Sequence, residues 1–232
     1  MHIPDGFLDP KVSAGLLGGA ALVLGYSLAK VRAAVTALVP AAVLATAGKK
    51  GGQILGRTRQ MLTGEGERTI YKMGMVAALI FAAQMFNFPI SGGTSGHLIG
   101  GVFAAVVLGP FAGSLVIAAV LAVQMFFFAD GGLIAVGANI INMAAIGSII
   151  GYYIYYLLKK IMPEWGAIAL AAWSSVVLAA LACSLELGIS GTVPFAMVIP
   201  AMVKVHAVIG IAEALISLAL VGSFRSMLKE EG

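Results

Sequence analysis

The residues that could do chemistry stand at the start of the chain, which opens Met1-His2-Ile3-Pro4-Asp5-Gly6-Phe7-Leu8. The N-terminal amine, the backbone nitrogen of residue two and the imidazole of His2 lie on one continuous covalent path. Folded back on itself, that path offers three nitrogens to one metal ion through fused chelate rings. A fourth nitrogen closes a square, the geometry that suits Ni(II) or Cu(II) and that Co(II) can also take. The chain has three histidines: His2, His97 and His206. His97 ends the glycine-rich stretch Ser91-Gly92-Gly93-Thr94-Ser95-Gly96-His97 and is the natural fourth donor. Against this stands the ordinary fate of an N-terminal histidine, which is to sit in a frayed tail. The pair gains weight only from what surrounds it.

Those donors need a scaffold, and composition says which kind. Of 232 residues, 60% are hydrophobic and 10% are charged, with a mean hydropathy of +1.02. Ordinary soluble domains carry about 25% charge. The apolar runs are continuous and not alternating, which points to an all-α integral membrane protein and away from a barrel. The single Cys183 rules out an internal disulfide and reads as packed against lipid or core. The net charge of +4 is ordinary for such a protein, and nothing points to nucleic acid. A cleaved leader is not expected, because the first ten residues hold two Asp and no Lys or Arg. Retention keeps His2 in the chain, and the bulky His2 disfavours removal of Met1.

The whole chain, 1–232, reads as a single transmembrane domain of about seven spans: 12–30, 73–88, 97–109, 111–128, 133–158, 165–187 and 195–222. Residues 33–47 are apolar but only fifteen long, short of the roughly 20 a spanning helix needs, with Pro40 in their middle. They read as a surface or re-entrant helix. Residues 48–72 are polar and hold Lys49, Lys50, Arg57, Arg59, Arg68 and Lys72 against Glu65 and Glu67. With the N-terminus outside, seven spans put twelve of the fourteen Lys and Arg on the cytoplasmic side, as the positive-inside rule asks. Only Lys11 and Lys204 fall elsewhere. An eighth span at 33–47 would break the pattern. The same map places Met1, His2, the 89–97 loop, Asp130 and the 188–194 loop together on the outer face, with the C-terminus in the cytoplasm.

Glycines along the spans, such as Gly15, Gly18, Gly100, Gly101 and Gly113, read as close helix packing in lipid. Gly92, Gly93 and Gly96 differ: with Pro89 they keep a loop irregular at the membrane edge, which must be buried in protein or line a cavity. Polar residues inside spans are functional suspects. Asn139 and Asn142 lie three apart in the fifth helix and read as support for a metal pocket below Asp130. Gln84 and Gln124 read as interhelical hydrogen-bonding groups. Glu186 and Glu213 lie in or near the last two spans. His206 reads as a hydrogen-bonded packing residue, with a ligand role as the lesser alternative.

Three function classes compete. The first is a metal-capturing membrane transport component with Met1, His2 and His97 as ligands. The second is an intramembrane serine protease of rhomboid type, in which Gly93-Thr94-Ser95-Gly96 supplies Ser95 and His206 is the base. That four-residue pattern is weak in a glycine-rich chain and leaves His97 without a role. The third is a self-sufficient metal channel or carrier. Channels want polar groups in rows through the membrane, whereas the charges here crowd at one face.

The stretches 1–8, Phe86-Asn87-Phe88-Pro89-Ile90-Ser91-Gly92-Gly93-Thr94-Ser95-Gly96-His97 and Asp130-Gly131-Gly132-Leu133-Ile134-Ala135-Val136-Gly137-Ala138-Asn139 together resemble the CbiM/NikM family. These are the substrate-binding (S) components of energy-coupling factor importers for cobalt and nickel in prokaryotic cell membranes. The resemblance runs from Met1 to the last helix, except for the 33–70 region. It implies an N-terminus tucked back into the bundle and a metal held by the Met1 amine, the backbone nitrogen and imidazole of His2, and His97. Asp130, Asn139, Asn142 and His206 are candidates for the surrounding support. No enzymatic cofactor is implied; Ni2+ or Co2+ is the substrate. The implied partners are a CbiQ/NikQ-like transmembrane coupling subunit, CbiO/NikO-like ATPase subunits and often a small CbiN-like membrane protein. The chain itself has no Walker A pattern G-x-x-x-x-G-K-[ST], so ATP hydrolysis falls to a partner and the chain is not expected to be an enzyme. The loop sequence and the affinity order at nitrogen sites lean toward nickel. Because amine and imidazoles must be unprotonated to bind, loading is expected to fall as pH drops toward about 6.5.

Overall fold

The structure, a computed structural model, describes residues 1–39, 59–85, 88–90 and 94–230. Pro40, Lys49, Lys50, Arg57, Ser91, Gly92 and Gly93, which the sequence singled out, lie outside the described residues.

Helix α1 spans Pro10–Val35. The Asp9 carboxylate caps it by accepting the Lys11 N–H, and Pro10 pre-sets the first turn. The chain then extends as β1 (Thr36–Val39), antiparallel to β2 (Arg59–Leu62). Residues 33–39 therefore do not form the expected short helix. Residues 33–35 finish α1, and Thr36 to Val39 run straight because the residue before a proline is pushed toward extended backbone and Thr36 and Val39 are β-branched.

Thr63 caps α2 (Gly64–Gln84) through its hydroxyl and the Gly66 N–H, so α2 starts within the polar segment. A second short antiparallel pair, β3 (Phe88–Ile90) and β4 (Thr94–Gly96), follows. Helix α3 (Gly101–Leu108) has only eight residues. Gly109, at φ +88, ends it, and Pro110 opens α4 (Pro110–Phe128). Helix α5 (Val136–Leu158) is wound as a π-helix from Ile140 to Ile150. Helices α6 (Glu164–Ile189) and α7 (Phe195–Glu230) complete the chain.

Among the described residues, seven helices and two small β ladders make up an all-α integral membrane protein. Five of them, α1, α4, α5, α6 and α7 up to Met227, are long and apolar enough to cross a bilayer. Helix α6 packs most extensively on α7, and α4 packs against both α3 and α5. Small side chains permit this closeness: Ala167, Ala171, Ala172, Ala179, Ala180 and Cys183 of α6 are fully buried. At the crossing of α3 and α5, a Cβ on Gly101 would meet the Gly147 carbonyl carbon at 2.4 Å.

Candidate metal centre

The first five residues are held by main-chain and carboxylate bonds and are not frayed. Asn139, at the start of α5, accepts the Ile3 N–H at 2.8 Å and donates its amide to the Ile3 carbonyl at 3.2 Å. The Gly132 N–H donates to that same carbonyl at 2.9 Å. Pro4 stiffens the turn that follows. The Asp5 carboxylate then accepts the Leu133 and Ile134 N–H groups at 3.0 and 2.7 Å, satisfying backbone donors just ahead of α5. Farther on, the Thr192 hydroxyl donates to the Phe7 carbonyl. Met1 and Ile3 are fully buried as a result, and His2 is buried too.

The turn after α4 brings Asp130 to this segment. Ala129 takes a left-handed conformation, φ 54, and its N–H returns to the Gln124 carbonyl. Gly131 follows at φ +98, where a Cβ would crowd the Asn139 amide at 3.1 Å and the His2 ring at 3.3 Å. Oδ1 of Asp130 lies 3.0 Å from Nδ1 of His2. That is ion-pair distance, close enough for the carboxylate to act on the charge of the ring. Asp130 is 29% exposed and His2 only 4%, so the carboxylate bridges the outside and the buried imidazole.

His97 enters from the other side, on the irregular stretch between β4 and α3. Its ring lies against that of His2, with centroids 4.6 Å apart and planes 24° from parallel. Imidazoles on adjacent corners of one ion, with metal–nitrogen bonds of about 2 Å, hold their centroids at about that spacing. The Nδ1 of His97 donates to the Leu98 carbonyl at 2.7 Å. A carbonyl only accepts, so Nδ1 carries the proton and Nε2 carries the lone pair. That Nε2 is buried without a hydrogen-bond partner.

Burial sets the protonation of all three nitrogen groups. It pulls the Met1 amine from the 8.0 of an ordinary terminus to about 5. Burial also lowers His2, against the opposing pull of Asp130. It lowers His97 well below the usual range, helped by the nearby N-terminus and His2. Burial alone would raise Asp130, but the His2 imidazole and the N-terminus outweigh it and leave its carboxyl below the ordinary value. The cluster is thus a set of neutral, lone-pair-bearing nitrogens beside one carboxylate.

The remaining sequence candidates are placed differently. Asn139 grips Ile3, as described. Asn142 instead donates to Glu186 of α6 at 2.7 Å. The two asparagines do not share a neighbour because the π-wound stretch between them turns less per residue than an α-helix. His206 of α7 is fully buried, with Nδ1 donating to the Met202 carbonyl at 2.8 Å and Nε2 without a hydrogen-bond partner. Ser95 lies on β4. Gln84, expected to bond between helices, instead donates to the Ile99 carbonyl of the irregular stretch. Sequence reasoning missed the anchoring role of Asp5, although Pro4-Asp5-Gly6 is a turn signal. Among the described residues, no three His, Cys, Asp or Glu side chains converge as a metal-holding group.

The sequence profile of the family described as CbiM, cobalt uptake substrate-specific transmembrane region, matches residues 35–230. The chain belongs to the CbiM family. Its CbiM-family fold is shared by two crystal structures titled as a transition metal transporter. The truncated one has TM-score 0.77 and 29% identity, covering 98% of this chain and 99% of that one. The other has TM-score 0.78 and 30% identity, over 98% and 93%. A protein of Archaeoglobus fulgidus whose name assigns it fused nickel transport, NikMN, is 36% identical over 95% of this chain; the chain spans 64% of that protein's length. The cobalt transport protein CbiM of Sorangium cellulosum is 31% identical over 66% of this chain and 72% of its own. None of these comparisons supports the protease reading of Ser95 and His206.

Proposed function

We propose that the chain is the substrate-binding membrane component of an importer for nickel or cobalt ions. The metal is held by the Met1 amine, the backbone nitrogen and Nδ1 of His2, and Nε2 of His97. The ring size decides which imidazole nitrogen serves: from the His2 amide nitrogen through Cα, Cβ and Cγ, only Nδ1 closes a six-membered chelate. The observation that carries this reading is the stacked His2–His97 pair, with a partnerless Nε2 on His97, packed beside a buried N-terminus.

The residues of the site divide the work in four. The amine and imidazoles supply neutral lone pairs without first shedding protons. The amide nitrogen, once deprotonated, offsets part of the dication's charge. Asp130, partly exposed beside His2, attracts the cation at the outer face and offsets more of it. Asn139 and Asp5 keep residues 1–5 folded back so that the chelate is already shaped.

Capture then occurs at the extracytoplasmic face of a prokaryotic cell membrane, with the N-terminus outside and the C-terminus in the cytoplasm. Residues 1–232 act as one transmembrane domain, with 33–72 as a cytoplasmic basic segment. A CbiQ/NikQ-like coupling subunit and CbiO/NikO-like ATPases drive release inward, with a small CbiN-like membrane protein in some systems. The test is metal content and competition between Ni2+ and Co2+ on protein purified with a native N-terminus and a C-terminal tag. One metal per chain, lost in His2→Ala and in His97→Ala, is the expected result. Stoichiometric binding retained in both variants would overturn it.

A further inference from the structure

Residues 97–100 form neither helix nor strand, yet His97 and Ile99 are fully buried in an apolar interior. Irregular backbone there persists only where its N–H and C=O groups find partners. Two side chains from other helices supply them. Oε2 of Glu213, on α7, accepts the Ile99 N–H at 2.8 Å, and Oε1 accepts the Gly100 N–H at 2.7 Å. From α2, the Gln84 amide donates to the Ile99 carbonyl at 2.7 Å. Both side chains are buried, at 2% and 1% exposure. The register of the strap is fixed as well: Gly100 sits at φ +74, where a Cβ would meet Ile80 at 2.8 Å.

The residue type matters. A carboxylate presents two acceptors side by side and so can take two successive peptide N–H groups. A glutamine offers one acceptor and would turn an NH2 group toward the second N–H. Glu213 therefore fixes the two peptides immediately beyond Leu98, whose carbonyl in turn fixes the His97 ring through Nδ1.

We propose that Glu213, assisted by Gln84, is a positioning residue that aims Nε2 of His97 and so holds the metal centre planar. This rests on the reading of His97 as a ligand. A planar nitrogen set favours Ni(II) and Cu(II), whereas a fourth ligand free to swing suits tetrahedral Zn(II). Rigidity of the strap thereby becomes metal selectivity.

The experiment compares Glu213→Gln with wild type in the full chain, titrating Ni2+ and Zn2+ and recording the absorption of the Ni(II) form. Losing an outer support of a ligating histidine costs about 10–100-fold in affinity. The expected result is a loss of that size for Ni2+, a smaller loss for Zn2+ and a weakened planar Ni(II) band. Glu213→Asp, which keeps both acceptors on a shorter arm, should recover part of the band. Should Glu213→Gln not fold, Gln84→Leu removes the other hold on the strap and should move selectivity the same way. A folded Glu213→Gln or Gln84→Leu with wild-type Ni2+ affinity and spectrum overturns the proposal. So does an equal loss for Ni2+ and Zn2+, the signature of lost charge alone. If His97→Ala binds Ni2+ as wild type does, the ligand assignment has failed instead.

Discussion

Nδ1 of His2 lies 3.0 Å from Oδ1 of Asp130, and it is the one ring nitrogen of His2 that can join a chelate with the residue's own amide. The carboxylate thus stands beside the atom the metal must reach. A unit charge about 4 Å from the metal centre, whose net charge is +1 once the amide nitrogen is deprotonated, is worth about 4 kcal/mol at an effective dielectric near 20. Asp130 is 29% exposed, and solvent screening cuts that to about 1–2 kcal/mol. Asp130→Asn should weaken metal binding by about tenfold without abolishing it, as measured by calorimetric titration. Unchanged affinity would remove Asp130 from the account.

The pH dependence follows from burial. The Met1 amine is lowered to about 5, and His2 and His97 also lie below their ordinary value. A lowered value keeps the neutral, binding form at lower pH, so at these three nitrogens protons compete with the metal only under more acidic conditions, while the single amide proton lowers the affinity by about tenfold per pH unit. Loading should therefore persist below the 6.5 of an ordinary imidazole and fail as pH drops through about 5. At pH 7 only the His2 amide has a proton to release. Calorimetry in buffers of differing ionisation enthalpy should find a single proton per metal. Release of two or more would mean that the imidazoles or the amine are charged before binding.

How far the site was legible in the sequence depends on the kind of interaction. His2 and His97, whose rings the structure stacks, stood out in the sequence because donor atoms and loop glycines are residue types, visible without coordinates. The long apolar helices were found because hydropathy reports them directly. The role of Asp5 was not, since its partners are backbone N–H groups at 133–135 and backbone leaves no mark in side-chain patterns. Asn142 misled for a related reason: three-residue spacing implies one face only in an α-helix, and α5 is π-wound from Ile140. Residues 36–39 misled because apolar content does not separate a short strand from a short helix.

Asp5 gives a test of the folded-back terminus. Asp5→Ala leaves the Leu133 and Ile134 N–H groups without their acceptor. Loss of such a cap costs about 1 kcal/mol, up to about 2, which thermal unfolding in detergent should register. Metal affinity should fall with it, since the chelate must then order residues 1–5 on binding. An unchanged melting temperature and affinity would show that the cap contributes to neither.

The two faces of the membrane can be told apart by labelling. With Cys183 replaced, Leu133→Cys and Ile161→Cys place single thiols at sites 60% and 79% exposed. Leu133→Cys should react with an impermeant maleimide added outside intact cells, and Ile161→Cys only after permeabilisation. The reverse pattern would invert the proposed topology.

The most direct measurement concerns the first atom of the chain. One residue added before Met1 turns its amine into an amide, whose proton is far harder to remove, and forces extra atoms into a site where Met1 is already fully buried. Metal per chain should be measured for the native terminus, for the one-residue extension and for a C-terminally tagged control. The account predicts one metal per chain for the native and control proteins and none for the extended one, with helix content unchanged in all three. An extended protein that loads one metal per chain at native affinity would contradict it.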